Sequence, residues 1–148
     1  MSSTRDITAN NCAKALWASD NATRALGMEL VSVAPGRSEL TMPVRQDMTN
    51  GHGTCHGGFI FTLADSAFAF ACNTYDERTV AQHAQITFIE PGKEGDILTA
   101  TAIERSRKGR SGIYDITVKR QDGTVLAEFR GSSRTIGGSI IEVDATHA

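Results

Sequence analysis

No apolar run in the sequence reaches the roughly 20 residues that span a bilayer. The opening segment, MSSTRDITANN, contains no apolar h-region, so no secretory signal is read. Neither sign of charge dominates: the net charge is only −2, with acids and bases mixed along the chain. That balance argues against a surface built for nucleic acid or for an anionic membrane. Cysteine is scarce, and Cys12, Cys55 and Cys72 form an odd set without framework spacing. Such a set fits a reducing compartment, and a soluble cytoplasmic protein is expected. There is no repeat, no low-complexity block and no linker between domains. Standard zinc spacing, a P-loop and a dinucleotide fingerprint are all missing.

What is present suits one packed domain. The chain has 148 residues, 40% of them apolar, enough for a moderate core. A single domain is expected over residues 11–138, flanked by tails at 1–10 and 139–148. Residues 11–26 read as a first helix, capped by Asn10 or Asn11 and followed by Gly27. Residues 29–34 read as a strand before the turn Pro35-Gly36. Leu40, Met42 and Val44 then alternate with Glu39 and Thr41, while Pro43 marks an edge or terminal segment. Beyond residue 83 the period switches to two in four further segments, the second of them, residues 97–104, less cleanly. Ala84, Ile86 and Phe88 lie on one face of the first of these, and Thr99, Thr101 and Ile103 on one face of the second. Tyr114, Ile116 and Val118 mark the third, and Val125, Ala127 and Phe129 the fourth, after the hairpin signal Asp122-Gly123. This pattern predicts an α+β fold, a curved antiparallel sheet wrapped around one long helix.

That helix follows the loop at residues 50–58. From Gly58 onward the sequence is apolar for about four turns, which places it in a core, yet it carries Asp65 in its middle. A buried, unpaired carboxylate is costly. Asp65 therefore either finds a backbone or basic partner, or serves as a general base or nucleophile in a partly dry site. Gly57-Gly58 opens the helix, where unpaired N–H groups and partial positive charge suit a developing oxyanion. The plainer reading is a turn that needs glycine. Gly57 and Asp65 are about 12 Å apart along the axis at 1.5 Å per residue. One helix hardly presents both to the same carbonyl, so a catalytic pair implies a site shared across a two-fold dimer. His56 either donates to a substrate carbonyl or anchors the loop, and Asn50 either makes a turn or holds a water near the carboxylate. Two minor readings are a metal held by His52, Cys55, His56 and Asp65, and a Cys55–His56 nucleophilic pair. Further on, RSRKGRSG places Arg105, Arg107, Lys108 and Arg110 at a strand junction, with Arg130 and Arg134 on the last strand. The cluster is either a solvated turn or a phosphate contact for a nucleotide-bearing substrate.

The residues Asn50-Gly51, Cys55-His56-Gly57-Gly58 and Leu63-Ala64-Asp65 resemble the signature of hot-dog fold thioesterases, in particular those of phenylacetate degradation. SAFAFACN, ITFIEPGKEGDILTATA, GIYDITV and FRGSSRTIGG extend the resemblance over residues 11–138. It implies a six-stranded antiparallel sheet around a central helix, and a dimer with a continuous sheet, usually paired into a homotetramer. It implies hydrolysis of acyl-coenzyme A thioesters, aryl-acetyl groups preferred, with no metal or cofactor; coenzyme A is part of the substrate. By resemblance, Asp65 is the catalytic carboxylate, the Gly57 N–H binds the thioester oxygen, and His56 and Asn50 assist. Arg107, Lys108 and Arg110 are the weaker candidates for the coenzyme A phosphates. The competing expectations are a hydratase or dehydratase acting on acyl-CoA, and a non-catalytic acyl-CoA-binding module. Phe59, Phe61 and Phe68 are candidates to line the acyl pocket.

Overall fold

The structure, a computed structural model, describes residues 3–141. Six strands form one antiparallel sheet: β1 Glu29–Ala34, β2 Arg37–Pro43, β3 Thr79–Phe88, β4 Ile97–Lys108, β5 Ser111–Lys119 and β6 Val125–Thr135. Their spatial order is β1-β2-β4-β5-β6-β3, which leaves β1 and β3 as the two edges. Among the described residues the sheet is accompanied by the α-helices α1 Thr4–Ser19, α2 Asn21–Ala25 and α3 Gly57–Cys72 and by a short 3-10 turn at Gln46–Met48.

The alternation in the sequence becomes the two faces of the sheet. Leu40 and Met42 of β2, Leu98, Ala100 and Ala102 of β4, and Tyr114, Ile116 and Val118 of β5 are buried against α3. Thr99, Thr101 and Ile103 lie on the outer face. Helix α3 packs on all six strands, so the sheet curls around it as the period-two pattern requires. Pro43 proves to be terminal rather than an edge residue, because β2 is paired with both β1 and β4. Gly131 of β6 lets the sheet approach the helix closely. A Cβ there would lie 2.5 Å from Phe68 Cε2, so only glycine admits the Phe68 ring. That ring also packs on Tyr114 and Phe129, with centroids 5.6 and 6.1 Å away.

The N-terminal helix differs from the expected residues 11–26. It starts at Thr4, because Ser3 accepts the Asp6 N–H and Asp6 accepts the Ser3 N–H, a reciprocal capping box. The signal, Ser-x-x-Asp, stands in the sequence; Asn10 and Asn11 lie inside the helix instead of capping it. The helix also stops early. The Asp20 carboxylate accepts the Thr23 N–H, ending α1 and capping the separate short helix α2. At the other end Asp76 accepts the N–H groups of Ile140 and Ile141, both at 2.9 Å, and so ties the chain after Gly138 to the body. The remainder of the expected C-terminal tail, 142–148, lies outside the described residues. No helix among the described residues is long and apolar enough to cross a membrane.

Candidate active site

Helix α3 begins at Gly57 because His56 leaves the helical region, with φ −60° and ψ 132°, and caps the first turn with its ring. His56 Nδ1 accepts the Gly58 N–H at 2.9 Å. A ring nitrogen that accepts carries no proton, so the ring N–H is at Nε2, a donor on an exposed side chain. The Phe59 N–H returns to the His56 carbonyl at 3.0 Å. Between these two, the Gly57 N–H has no partner among the described residues. It stands at the positive end of a four-turn helix. The Phe88 ring packs beside the Gly57 Cα: a Cβ on Gly57 would lie 2.9 Å from Phe88 Cζ.

The loop ahead of the helix is pinned by its backbone. The N–H groups of Cys55 and His56 reach the carbonyls of Gly92 and Met48, each at 2.7 Å. Asn50 shapes the remainder. Its side-chain oxygen accepts from the His52 N–H at 2.9 Å, and from the Thr54 N–H and hydroxyl, both at 3.2 Å. The turn reading therefore accounts for the carboxamide oxygen, and the NH₂ group is left as a donor.

Asp65 is half-buried and makes no hydrogen bond or ion pair among the described residues. The structural alternative, a backbone or basic partner within the chain, is not what this fold provides. Burial pushes its carboxyl above the ordinary value, and the negative charge of Asp20 adds to the shift. Asp65 belongs to a half-exposed stripe of α3, with Thr62, Ser66 and Ala69, that the chain's own sheet leaves uncovered. Gly57 and Asp65 stand about 12 Å apart along the helix, so one chain does not bring N–H and carboxylate onto one carbonyl.

The two minor readings do not find support in the fold. His52, Cys55, His56 and Asp65 do not gather, and no group of three or more His, Cys, Asp or Glu residues is arranged to hold an ion among the described residues. Cys55 is 5% exposed and burial pushes its thiol up to about 11, which is wrong for a nucleophile. Phe68 is sealed in the core rather than lining a pocket, and Phe61 packs edge-on against Phe129 at 5.2 Å. The basic segment spans the last residues of β4 and the turn into β5, at the end of α3 remote from Gly57. Arg107 lies 3.6 Å over the Tyr75 ring and 3.8 Å from Glu77, whereas Lys108 and Arg110 have exposed side chains without a polar partner among the described residues. Arg105 and Arg130 both pair with Asp115, at 2.9 and 2.6 Å. Two residues near the site were not singled out in the sequence. Phe88 reads there as one more strand residue, and Asp20 as one position inside a longer helix; the Asp-Asn pair that marks a cap was the available signal.

A curved sheet around one helix, with an open N–H at the helix start and an unpartnered carboxylate two turns on, is the hot-dog fold with a site suited to carbonyl chemistry. A family model described as the thioesterase superfamily matches residues 52–127, and the chain belongs to that family and is a thioester hydrolase. It is 44% identical over 128 residues to the acyl-coenzyme A thioesterase PaaI of Escherichia coli K12, covering 86% of this chain and 91% of the relative. The solved structure of E. coli PaaI, from the phenylacetic acid degradation operon, superposes with a TM-score of 0.90 at 42% identity, covering 92% of this chain and 99% of that one. A Streptococcus mutans protein solved bound to acetyl-CoA superposes with a TM-score of 0.73 at 25% identity, covering 76% of this chain and 90% of that one.

Proposed function

We propose that the protein hydrolyses aryl-acyl-CoA thioesters of the phenylacetyl or hydroxyphenylacetyl type, at two sites shared by a homodimer. The observation that carries this reading is the pair of unsatisfied groups on α3, the Gly57 N–H and the Asp65 carboxylate, too far apart to serve one carbonyl. In an antiparallel pair of α3 helices, Gly57 of one chain faces Asp65 of the other. The open edge of β3, with Val80 44% exposed, supports a sheet continued into a second copy. The likeness to PaaI supports the substrate class, and the acetyl-CoA-bound neighbour supports coenzyme A as its carrier. Assembly into a tetramer is proposed on the same likeness.

The thioester oxygen accepts from the Gly57 N–H and from His56 Nε2, so negative charge developing there meets donors already in place. Asp65 takes a proton from a water held by the Asn50 amide as that water attacks the carbonyl carbon. The tetrahedral oxyanion collapses, the C–S bond breaks, and the thiolate recovers the proton from Asp65. Direct attack by Asp65, giving an anhydride, is the other route open to the same carboxylate. In a single turnover in isotopically labelled water, the direct route puts label into Asp65 before it appears in the product. No metal or separate cofactor enters either route. Lys108 and Arg110 are the cations left to meet the coenzyme A phosphates, since Arg107 is engaged by Tyr75 and Glu77. Three unpaired, buried cysteines support a reducing, cytoplasmic setting, with no nucleic-acid or membrane partner.

Mixed dimers test the shared site. Gly57→Pro removes the N–H at a first helical position that accepts proline once the tip of the exposed Phe88 ring swings aside, and His56 already has the extended backbone a following proline requires. Gly57→Pro and Asp65→Asn are each expected to be nearly inactive. Mixed and reassembled in equal amounts, they recover about a quarter of wild-type turnover, because half of the dimers carry one intact site. Mixed dimers that form without recovery overturn the shared site. Thiol release across a panel of aryl and aliphatic acyl-CoA thioesters tests the substrate class.

A further inference from the structure

A chain of hydroxyls runs from the catalytic turn of α3 to the junction of α1 and α2. Ser66 follows Asp65 on the half-exposed face of α3, and its Oγ lies 2.8 Å from Thr23 Oγ1. Thr23 Oγ1 in turn lies 2.6 Å from Asp20 Oδ2. A threonine hydroxyl has one proton, and the carboxylate, acting only as an acceptor, takes it. Ser66 is therefore the donor to Thr23, and the protons point in one direction, from α3 to Asp20.

Two features set this chain apart from ordinary capping. Thr23 is 1% exposed although it sits on a five-residue surface helix whose other members are exposed. Its hydroxyl is thus enclosed between α2 and α3, where a broken hydrogen bond is costly. Ser66, for its part, reaches across to another element, whereas a helical serine commonly bonds back to its own helix. The bond ties the turn of α3 that carries Asp65 to α2.

We propose that Asp20 is a positioning residue for the hydrolysis: through Thr23 and Ser66 it sets the orientation of the Asp65 turn, and it holds a second negative charge beside that carboxylate. This rests on the reading of Asp65 as the catalytic group.

The charges around Asp65 fit the role. After burial, Asp20 is the group that raises its proton affinity. Arg24, on the same short helix, does not offset it, for its guanidinium is turned onto Asn21 Oδ1 at 2.9 Å and the Asp20 carbonyl at 3.4 Å. Along α3, Cys72 is a neutral thiol, pushed up to about 12 by burial first and by Asp65 in smaller part. No charge from the strands packed on α3 bears on Asp65 among the described residues. A carboxylate kept more basic in this way is a better proton acceptor in the attacking step.

The test is the pH dependence of kcat/KM for Asp20→Asn, Thr23→Val and Thr23→Ser beside wild type. Asparagine still caps α2, so Asp20→Asn removes the charge while keeping the helix start. Its acid limb is expected to move to lower pH by about half a unit, the size of a like-charge effect across several ångströms of partly wet space. Thr23→Val breaks the hydroxyl chain at nearly constant volume and is expected to lower kcat about tenfold, with Thr23→Ser restoring it. An acid limb for Asp20→Asn that superposes on the wild-type limb overturns the proposal, as does wild-type kcat in Thr23→Val. Each of those results would reduce Asp20 to a structural cap. Failure of the underlying reading is distinguishable, because it appears as full turnover in Asp65→Asn itself.

Discussion

Asp65 is held above the ordinary carboxylate range by burial and by Asp20, and that has a consequence for stability as well as for chemistry. A carboxyl whose affinity for protons is higher in the folded state favours folding below its unfolded value of about 3.9, and that contribution is lost as pH rises through the higher folded value. At neutral pH the charge therefore works against the fold. Asp65→Asn is expected to lower kcat by about 10²–10⁴-fold. Its melting temperature at pH 7 should equal or exceed that of wild type, with the gap closing as pH falls toward about 4. Parallel melting curves over that range check the sign, and near wild-type turnover would remove Asp65 from the mechanism. At this scale the sequence was informative because one acid in an apolar helix is conspicuous. Asp20 was not, because its proximity to Asp65 comes from α2 folding back onto α3 across more than forty residues.

Among the elements, α3 and the strands were legible and the N-terminal helix was not. Periodicity describes a face in contact with a core; β2, β5 and β6 show that face cleanly, whereas β4 shows it less cleanly because its core face is Leu98 with the small Ala100 and Ala102. Helix α1 buries small residues, Ala9, Cys12, Ala13 and Ala15, and so carries a weak apolar stripe. Its ends are set by side-chain caps at Ser3 and Asp20 instead. Ser3→Ala should cost about 1 kcal/mol, seen as faster amide exchange over residues 4–10 with the α3 amides unchanged. The meeting of α3 and β6 predicts a larger effect. Gly131→Ala would drive a methyl group into the Phe68 ring, which Tyr114 and Phe129 hold in place, and should destabilise by about 1–3 kcal/mol in denaturant titration. Retention of wild-type stability would mean that the ring has room to move.

For the molecule as a whole, the two sheet edges differ. β1 is partly covered by α1, whereas β3 has only Thr79, Ala84 and Ile86 half-buried and exposes Val80 and Phe88. Lysines on that strand, as in Val80→Lys with Gln82→Lys, would place like charges across a two-fold edge. The doubly substituted protein is expected to sediment as a monomer and to lose turnover; a fully active monomer would rule out the shared site. The sequence by itself determined the sheet and the buried helix and marked the candidate site residues, because alternation, glycine at a helix start and one acid among apolar neighbours are local signals. It also fixed the spacing of Gly57 and Asp65, since helical rise is the same in any fold. Only the tertiary structure decided which groups are left unsatisfied: the Gly57 N–H once His56 has capped its neighbour, and the Asp65 carboxylate once no base packs against it. Those outcomes depend on what the rest of the chain brings near, and no local pattern specifies that.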